Sequence, residues 1–575
     1  TFTMSLAHSK NFLNKDFNRL RLGDINAISD TSNGSMSHII ASQWMSGARR
    51  ALLATFVVST VDQIFMLPLR TRYSMLRHLS LSGKVVIIDE VHAYSTYTNG
   101  YLHSTLTWLA WYGVPVILLS ATLPHEQKIA LLETYQRGLR VSRPDEIAIS
   151  TQYPSVTVLD NDGVHEFAVP LSPDELQISV DLIDDDESIL VDLLAAQTHD
   201  GGCILIVANT VDRAQSLFKE ISEKFPGEAI LVHSRFTAKE RSAKERRLLD
   251  ALGREATVEN DKRPHRLFVI GTQVVEQSLD IDADLLVTDI APMDLLMQRA
   301  GRLHRHKEHY PGRPEPLLEP RILIRGMRNV DVDSYAESEP PSFDPGARAV
   351  YLEKPLLASS LILYRDVLTH GFQRPWSLSS LVQKAYDPDL TVPESWQEKW
   401  KSAEEAWQEA QACAERRSDT FRLNDPVDYD HFDDMFIRVS EPLRGDDGSA
   451  QVRDTDPSIE VLVILVREDS YSPISTPDTV IPFDRPPNHA ETRELLKSSL
   501  RLPPRISRIM NSMKENLRLL AESTPKMWSD VPHLATQVAL CIDDKTSESI
   551  DLVDIAHHTI VFSYSEQFGL KEKMQ

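Results

Sequence analysis

The chain has 575 residues, of which 42% are hydrophobic and 25% are charged, and its formal net charge is −23. At about 150 residues per domain, this length predicts three or four globular domains. No apolar run approaches the roughly 18 residues of a membrane span and no signal peptide opens the sequence, so we expect a cytoplasmic protein without a membrane partner. The negative charge argues against a protein that binds a polyanion across its whole surface, but it is compatible with a local basic groove. We also expect a monomer.

Cysteines and basic clusters do not define a site by themselves. Cys203, Cys413 and Cys541 are far apart, which indicates neither a disulfide framework nor a cysteine-type zinc site and fits a reducing compartment. Basic residues gather in four stretches, each more typical of a solvated face than of a binding site: 69–78, 239–247, 299–309 and 500–508.

Seven short apolar runs predict buried strands. They alternate with helical patterns, as expected for a parallel sheet covered by helices on both faces. The runs are TFVVST (55–60), KVVIIDE (84–90), PVILLSAT (115–122), CILIVAN (203–209), RLFVIGT (266–272), LLVTDI (285–290) and RILIR (321–325). Residues 209–225 form an amphipathic pattern with Ala214, Leu217, Phe218 and Ile221 on one stripe. The sequence therefore predicts an α/β fold.

The strands fall into two groups, which the irregular, proline-containing stretch 140–187 separates. After Arg325 the pattern changes to loops and helices, and a helix over 393–417 places Trp396, Trp400 and Trp407 on one face, where packing is expected. Strands are predicted again at 459–467 and 558–564. The resulting division is a first domain (1–150), a connection (151–187), a second domain (188–328), a helical linker (329–420) and an α+β C-terminal domain (421–575).

Reactive groups follow several of these strands, at the sheet edge where open α/β sheets bind ligands. Asp89 and Glu90 end one buried strand, and two adjacent acids are costly there without a partner. A nucleoside triphosphate would explain the pair, because Asp89 could hold its magnesium and Glu90 could orient the attacking water. Arg302 and Arg305, predicted at the start of a helix, could reach the phosphates from the second domain. Taken singly, each group is more often a loop acid or a surface arginine than a functional residue.

Together the motifs resemble a known family. DEVH (89–92), SAT (120–122) and QRAGR (298–302) are similar to motifs II, III and VI of superfamily-two helicases. The longer strings STVDQ, IIDEVHAY, ILLSATLP, TQVVEQSLDID and QRAGRLHRH resemble the CRISPR-associated helicase–nuclease of type I systems, most like subtype I-E. The resemblance is dense from about residue 5 to about residue 325 and thins to general layout beyond it.

The resemblance implies two RecA-like motor domains, the first incomplete, followed by the helical linker and the C-terminal domain. It also implies roles for individual residues. The magnesium and hydrolysis pair is Asp89 and Glu90. Residues that couple the nucleotide state to DNA grip are His92, Ser120, Ala121 and Thr122. Nucleotide contacts in the second domain are Asp280, Gln298, Arg302 and Arg305. Contacts to the DNA strand are Thr60, Asp62, Gln63, His233, Ser234, Arg235, Thr272 and Gln273.

Two parts of the family pattern are missing from the sequence. The phosphate-cradling GxxxxGK(S/T) loop has no match, since the only similar stretch, residues 82–85, lacks the hydroxyl residue and precedes its strand. A cluster of His and Asp ligands for the family's metal nuclease is also missing. The pair His199 and Asp200 fits a linker, and the acidic run DYDHFDD (428–434) fits a solvated loop. We therefore expect a chain truncated at its N terminus, with the transition metal confined to the missing nuclease.

The family implies a protein that uses ATP and magnesium to move along single-stranded DNA. It would unwind target DNA opened by an RNA-guided CRISPR surveillance complex and feed it to the nuclease. Two alternatives stay open. A non-catalytic interaction subunit would keep the DNA groove without turnover, and an RNA helicase would use the same motor, because backbone contacts carry little sequence information.

Overall fold

The structure is a computed structural model, and it describes most of the chain. The described residues are 2–7, 39–40, 51–69, 74–121, 123–139, 147, 149–151, 153–170, 175–276, 279–329, 334–420, 422–426, 452, 458–507, 510–554 and 558–574. The chain divides into two compact units, one comprising 1–173 and 405–454 and the other comprising 174–404 and 455–575. No described helix is long and apolar enough to cross a membrane.

The first unit contains short strands, most of them paired in parallel, and helices. Its strands are β1 (Phe2–Ala7), β2 (Ile39–Ile40), β3 (Phe56–Ser59), β4 (Val86–Ile88), β5 (Val116–Leu118), β6 (Ser155–Leu159) and β7 (Val164–Ala168). Its helices are α1 (Asp62–Phe65), α2 (Ser74–Leu81), α3 (Thr96–Trp111) and α4 (His125–Gly138). Strand β1 lies between β2 and β3, and β4 pairs with β5, all in parallel. The strands β6 and β7 form an antiparallel hairpin.

The expected burial of the strands on both faces is wrong for β4. Val86 and Ile88 pack in the core with residues of α3, whereas Ile87 between them is 60% exposed. The neighbouring Ile117 of β5 is 47% exposed. These side chains alternate across the strand, so only the face towards α3 is covered in the part of the unit that the structure describes.

The second unit is built on a seven-stranded sheet with the order β10-β11-β9-β12-β13-β8-β16. These strands are β8 (Leu176–Leu182), β9 (Gly202–Val207), β10 (Ala229–Val232), β11 (Arg266–Gly271), β12 (Leu285–Asp289), β13 (Arg321–Arg325) and β16 (Phe372–Arg374). All pairings are parallel except that of β16 with β8. Every residue of β9 and β12 is buried, which confirms the two-face burial predicted for these runs.

Helices cover this sheet. They are α5 (Glu187–Gln197), α6 (Val211–Lys224), α7 (Ala238–Leu252), α8 (Met293–Ala300), α9 (Pro345–Val350), α10 (Glu353–Ile362) and α11 (Trp376–Ala385). The predicted stripe of α6 is buried at Ala214, Leu217, Phe218 and Ile221. A further helix, α12 (Gln397–Asp419), contains the boundary between the two units. Trp396 just before it is buried and Trp400 packs against the same core, as its spacing predicts.

Two strands of this sheet come from segments that the sequence analysis assigns elsewhere. Strand β8 lies in the predicted connection 151–187, but its pairing with β13 and β16 makes residues 176–182 part of the sheet. Strand β16 lies in the predicted linker and is the edge strand of this sheet, next to β8. The polar residues between the apolar ones in β8 fit a strand near a sheet edge, and this weaker pattern hid it among the neighbouring loops.

The C-terminal part forms a second, smaller α+β layer within the second unit. A central strand, β17 (Glu460–Val466), pairs with β18 (Ser470–Pro473), β20 (Ser499–Arg501) and β21 (Val538–Asp543). The other strands of this part are β19 (Ile481–Pro482), β22 (Leu552–Val553), β23 (Thr559–Ser565) and β24 (Gly569–Met574). Outside it, β14 (Met327–Arg328) and β15 (Ser342–Phe343) form a separate antiparallel pair that follows β13. The helices here are α13 (His489–Lys497) and α14 (Met510–Ser523). The strands predicted at 459–467 and 558–564 are thus confirmed.

Candidate nucleotide and nucleic-acid site

The acid pair lies where β4 ends, as the sequence predicts. Asp89 and Glu90 are exposed, and the backbone N–H of Glu90 donates to Asp89 Oδ1 at 2.9 Å. Glu90 has a φ of 56°, in the left-handed region that a residue with a side chain enters at a cost of about 1–3 kcal/mol. Such strain persists only where the surroundings enforce it, and the Glu90 side chain lies beside His92.

His92 connects the acid pair to the strand end of β5. Its Nε2 lies 3.1 Å from Glu90 Oε2, and its Nδ1 lies 3.0 Å from Ser120 Oγ. The backbone N–H of Ala121 also donates to His92 Nδ1 at 3.4 Å. Thr122, the third predicted coupling residue, lies outside the described residues. One imidazole therefore touches both a predicted hydrolytic carboxylate and the Ser120–Ala121 turn.

The predicted nucleotide arginines lie in a turn after a helix, which corrects the expectation that they begin one. Helix α8 ends at Ala300, and residues 301–306, called the arginine loop below, follow it. Arg302 donates from Nη2 to the Glu276 carbonyl at 2.8 Å. Arg305 lies at the exposed end of the loop, where its Nε is 2.5 Å from Asp280 Oδ1. The two arginines and Asp280, all predicted nucleotide contacts, thus lie near one another.

Gln298 lies in the last turn of α8. Its side-chain nitrogen is buried and has no hydrogen-bond partner among the residues that the structure describes. A buried donor without an acceptor costs roughly 1–3 kcal/mol unless a ligand or water satisfies it. This amide is therefore suited to receive an oxygen atom of a ligand.

Arg299, between these ligand candidates, is a structural residue that the sequence analysis did not single out. Its side chain is fully buried, and its Nε donates to Glu276 Oε2 at 2.7 Å. Its Nη1 donates to Thr288 Oγ1 at 2.7 Å and to the Asp289 carbonyl at 3.0 Å. The QRAGRLHRH string gives no signal that separates this arginine from the other two. Its burial depends on its position in the last turn of α8, which the sequence does not mark.

A buried ion network lies beside the arginine loop and was also missed. Asp282 and Asp284 are at most 1% exposed and pair with Arg263 and Arg313. His309 Nδ1 lies 2.7 Å from Asp282 Oδ2. Burial by itself would raise the pKa of Asp282, but the hydrogen bond with His309 and the charges of the two arginines lower it to about 2. The carboxylate is therefore ionised throughout the neutral range.

The predicted strand contacts of the first unit lie after β3. Thr60 is half-buried, and Asp62 and Gln63 belong to the short helix α1. Arg77 donates to Gln63 Oε1 at 3.2 Å and to the Gln63 carbonyl at 2.9 Å. This arginine lies in the basic stretch 69–78, so positive charge accompanies the predicted contact.

In the second unit, Thr272 and Gln273 follow β11. Thr272 is 3% exposed, and Gln273 donates from its side chain to the Asn209 carbonyl at 3.2 Å. A buried threonine at this strand end offers little surface to a nucleic acid in the described arrangement. Contact of these two residues with DNA stays a prediction.

The remaining predicted contacts, residues 233–235, lie under the hairpin of β23 and β24. His233 is fully buried, its Nε2 lies 3.1 Å from the Phe568 carbonyl, and the backbone N–H of Arg235 donates to its Nδ1 at 3.2 Å. Direct contact of His233 with DNA is therefore excluded in this arrangement, because the C-terminal hairpin occupies its surroundings. Ser234 is exposed.

Arg235 is held by two carboxylates. Its Nη1 lies 2.8 Å from Asp212 Oδ1 and 2.9 Å from Glu572 Oε1, and its side chain is 14% exposed. Arg505, in the basic stretch 500–508, pairs with the same Glu572. A DNA phosphate would have to replace Glu572 at Arg235. The guanidinium group that was expected to be free for DNA is therefore already paired with a carboxylate.

Gly569 permits this close packing of the hairpin. Its φ is +70°, and a Cβ there would lie 2.7 Å from the Arg235 carbonyl oxygen and 2.9 Å from His233 Cε1. The Leu570 N–H donates to that carbonyl at 2.9 Å. The hairpin therefore approaches residues 233–235 backbone to backbone.

The other stretches weighed for ligands show no site. Residues 82–85 form the turn between α2 and β4. His199 and Asp200 form an exposed pair at 2.9 Å. No group of three or more His, Cys, Asp or Glu residues within the described part of the chain could hold a metal ion. The acidic run 428–434 lies outside the described residues.

Comparison with known proteins identifies the family. The model for "CRISPR-associated nuclease/helicase Cas3, C-terminal" matches residues 200–308, and the model for "Cas3 C-terminal domain" matches residues 453–570. The CRISPR-associated nuclease/helicase Cas3 of Streptococcus thermophilus is 35% identical over an alignment of 571 residues that covers 96% of this chain. The chain belongs to the Cas3 family. The alignment covers 58% of that Cas3 relative, so the chain spans less than two thirds of its length.

Solved Cas3 structures share the fold. The crystal structure of T. fusca Cas3–AMPPNP is 25% identical and superposes with a TM-score of 0.79 over 99% of this chain and 62% of that one. A chain of the "CRISPR RNA-guided surveillance complex, pre-nicking" is also 25% identical, with a TM-score of 0.71 over 92% of this chain and 62% of its own length. The α/β fold with two RecA-like domains and a C-terminal domain is therefore the fold of Cas3 helicases.

Proposed function

We propose that the chain is the motor part of a type I CRISPR interference protein. The whole protein would use ATP to move along single-stranded DNA and to unwind the target for a metal nuclease. The observation that carries this proposal is the position of His92, which contacts Glu90 on one side and Ser120 on the other. An acid pair joined in this way to a second strand end suits a motor, because a change at the nucleotide can be passed on to the strand-binding surface.

The residues of the first unit fit the chemistry of ATP hydrolysis. Asp89 is an exposed carboxylate at a strand end, and it would hold the magnesium ion of ATP, whose charge offsets that of the phosphates. Glu90 would accept a proton from the attacking water and orient it. His92 keeps Glu90 within a 3.1 Å contact, which limits the directions that the carboxylate can take.

The residues of the second unit supply positive charge and a donor. Arg302 and Arg305 would stabilise the charge that develops on the transferred phosphoryl group. The buried Gln298 amide would donate to a nucleotide oxygen, which gives this donor the acceptor that the described residues do not provide. Asp280 holds Arg305 until the nucleotide is bound.

Each unit carries residues suited to nucleic-acid binding. Thr60, Gln63 and Ser234 are at least partly accessible, and they are suited to phosphate contacts that do not depend on sequence. Thr272 and Gln273 would join them at the end of β11, and Arg235 would join them after the C-terminal hairpin has moved away from it. The surveillance complex would present the substrate, as the likeness to a chain of such a complex supports.

The experiment measures ATP hydrolysis and strand displacement by the full-length gene product with single-stranded DNA or RNA. We expect DNA-stimulated hydrolysis, which Glu90→Gln lowers by roughly 10²–10⁴-fold, while DNA affinity stays within about threefold. The matched control is Glu126→Gln, which removes an exposed carboxylate of α4 in the same unit. Stimulation by RNA but not by DNA would contradict the proposal in favour of an RNA helicase. DNA binding without any hydrolysis would favour a non-catalytic subunit.

A further inference from the structure

Arg374 binds the backbone of the arginine loop from one side. This residue ends β16, in the segment between the second motor domain and α12. Its Nη1 donates to the carbonyls of Ala300 at 3.0 Å and Leu303 at 2.5 Å, and its Nη2 donates to the carbonyl of His304 at 2.7 Å. A residue 70 or more positions away in sequence thus contacts three carbonyl groups around Arg302.

These carbonyls lie at the C-terminal end of α8 and in the turn that follows it. The Ala300 carbonyl also accepts from the Leu303 N–H at 3.1 Å, and the partial negative charge at the end of the helix favours a nearby cation. A guanidinium group presents several N–H donors in one rigid plane, so one arginine can satisfy the carbonyls of Ala300, Leu303 and His304 together. A lysine ammonium at the same position would be a point charge without this fixed geometry.

Asp282 binds the same loop from the other side. Its Oδ1 accepts from the backbone N–H groups of Arg305 and, at 3.2 Å, of His306. Its Oδ2 is 2.8 Å from Arg313 Nη2. Because Asp282 is fully buried and Arg313 is 1% exposed, this anchor cannot swing into solvent.

The loop between these two anchors has a strained backbone. His304 has a φ of 45°, and its N–H donates to the Ala283 carbonyl at 3.0 Å. A residue with a side chain keeps such a conformation only where the surroundings impose it. The turn at His304 sets the direction of Arg305 relative to Arg302, and the contacts of Arg374 and Asp282 hold that turn.

We infer that Arg374 and Asp282 are positioning residues for ATP hydrolysis: they hold the arginine loop so that Arg302 and Arg305 present their guanidinium groups correctly. The inference rests on the proposed function, because it assigns these arginines to the nucleotide. Neither positioning residue touches the nucleotide itself. Misplacing a catalytic group by about 1 Å can lower a rate by roughly 10²-fold.

The test compares Arg374→Gln, Arg374→Lys and the control Arg365→Gln in the full-length gene product. Arg365 is an exposed arginine of the same segment, with one long contact at 3.4 Å to the Thr391 carbonyl. The measured quantities are the melting temperature, the hydrogen–deuterium exchange of peptides covering 300–306, and the kcat and KM for ATP. We expect Arg374→Gln to increase exchange of the loop at least tenfold and to lower kcat roughly 10- to 100-fold, on the scale expected for a misplaced group.

The proposal also fixes the results for the other quantities. We expect the KM for ATP to stay within about threefold, Arg374→Lys to recover part of kcat, and Arg365→Gln to match the wild type. Faster loop exchange with unchanged kcat would overturn the inference, and so would a kcat loss without faster exchange. Where Arg374→Gln does not fold, Arg374→Lys is judged by the same readouts. A wild-type protein that hydrolyses no ATP would refute the proposed function instead, whatever the loop exchange shows.

Discussion

Arg305 Nε lies 2.5 Å from Asp280 Oδ1, at the exposed end of the arginine loop. Both residues are predicted to face the nucleotide, and here they face each other. The side chains are 39% and 56% exposed, so the pair itself contributes no more than about 1 kcal/mol. A phosphate group can therefore replace Asp280 as the partner of Arg305 at little cost.

This relationship predicts different effects for the two partners. Arg305→Ala should lower kcat by roughly 10³-fold or more, because it removes transition-state charge. Asp280→Asn should leave the melting temperature within a few degrees, because the ion pair is exposed. ATPase rates and thermal melting of the full-length gene product measure both effects. If Asp280→Asn unfolds the protein, the pair is a structural contact and this interpretation is wrong.

The contacts of His92 predict a loss of coupling. His92→Ala removes the link between Glu90 and Ser120. The rate of strand displacement should therefore fall more than the rate of ATP hydrolysis. Ser120→Ala should show the same imbalance more weakly, since the Ala121 N–H still donates to His92. The measurement is the ratio of strand displacement to phosphate release. An equal fall in both rates would place His92 in the hydrolytic step alone.

The pairing of Arg235 and Arg505 with Glu572 predicts that this glutamate competes with DNA. Glu572→Gln should raise the affinity of the 575-residue chain for labelled single-stranded DNA by a few-fold. It should also steepen the salt dependence by about one unit, as one further phosphate contact forms. Fluorescence anisotropy over a salt series measures both quantities.

The control for that experiment is Glu548→Gln, which removes the same charge from the neighbouring pair with Lys573. Gly569→Ala offers an independent route, because its Cβ would push the hairpin away from Arg235. Equal gains from Glu572→Gln and Glu548→Gln would show a general charge effect, and the competition would be disproved.

Burial of His233 predicts a pH dependence of stability. Burial, with the nearby charge of Arg235, lowers the pKa of His233 to about 3, against an ordinary value of about 6.5 when the chain is unfolded. Between these values the unfolded chain binds the extra proton, so the free energy of unfolding falls as the pH falls below about 6.5. The contribution of this residue is at most about 1.4 kcal/mol per pH unit.

Thermal melting between pH 7 and pH 5 measures this effect. His233→Gln keeps a donor and an acceptor but cannot titrate, so it should flatten the pH dependence. Substitution of the exposed His199 by Gln should leave the dependence as in the wild type. A pH slope that His233→Gln does not change would show that the folded protein tolerates the protonated imidazole.

The missing phosphate loop predicts that the 575-residue chain by itself hydrolyses very little ATP. A lysine and a cradle of backbone N–H groups normally hold the phosphates, and the sequence contains neither in the required spacing. The measurement is phosphate release with and without single-stranded DNA, compared with the same chain carrying Glu90→Gln. Turnover that depends on Glu90 would show that another part of the chain replaces the loop.

Much of the motor could be predicted from the sequence. The apolar runs before Asp89 and Ser120 locate strands β4 and β5, because a short apolar run followed by polar residues has a distinct pattern. The strand β8 was not predicted, because it mixes polar and apolar residues among prolines. The position of Arg302 and Arg305 after a helix, instead of at the start of one, depends on where α8 ends, and boundaries of elements are poorly marked in sequence.

The sequence by itself predicted which groups are reactive, because the motifs that contain Asp89, Glu90, Arg302 and Arg305 resemble those of superfamily-two helicases. Only the tertiary structure decided which of them are accessible. His233 and Arg235 read as open DNA contacts, yet the hairpin from the far end of the chain covers the first and pairs with the second. Arg374 has no motif around it, yet it binds three carbonyls of the arginine loop. Contacts between segments distant in sequence arise from packing, and no local pattern of residues records them.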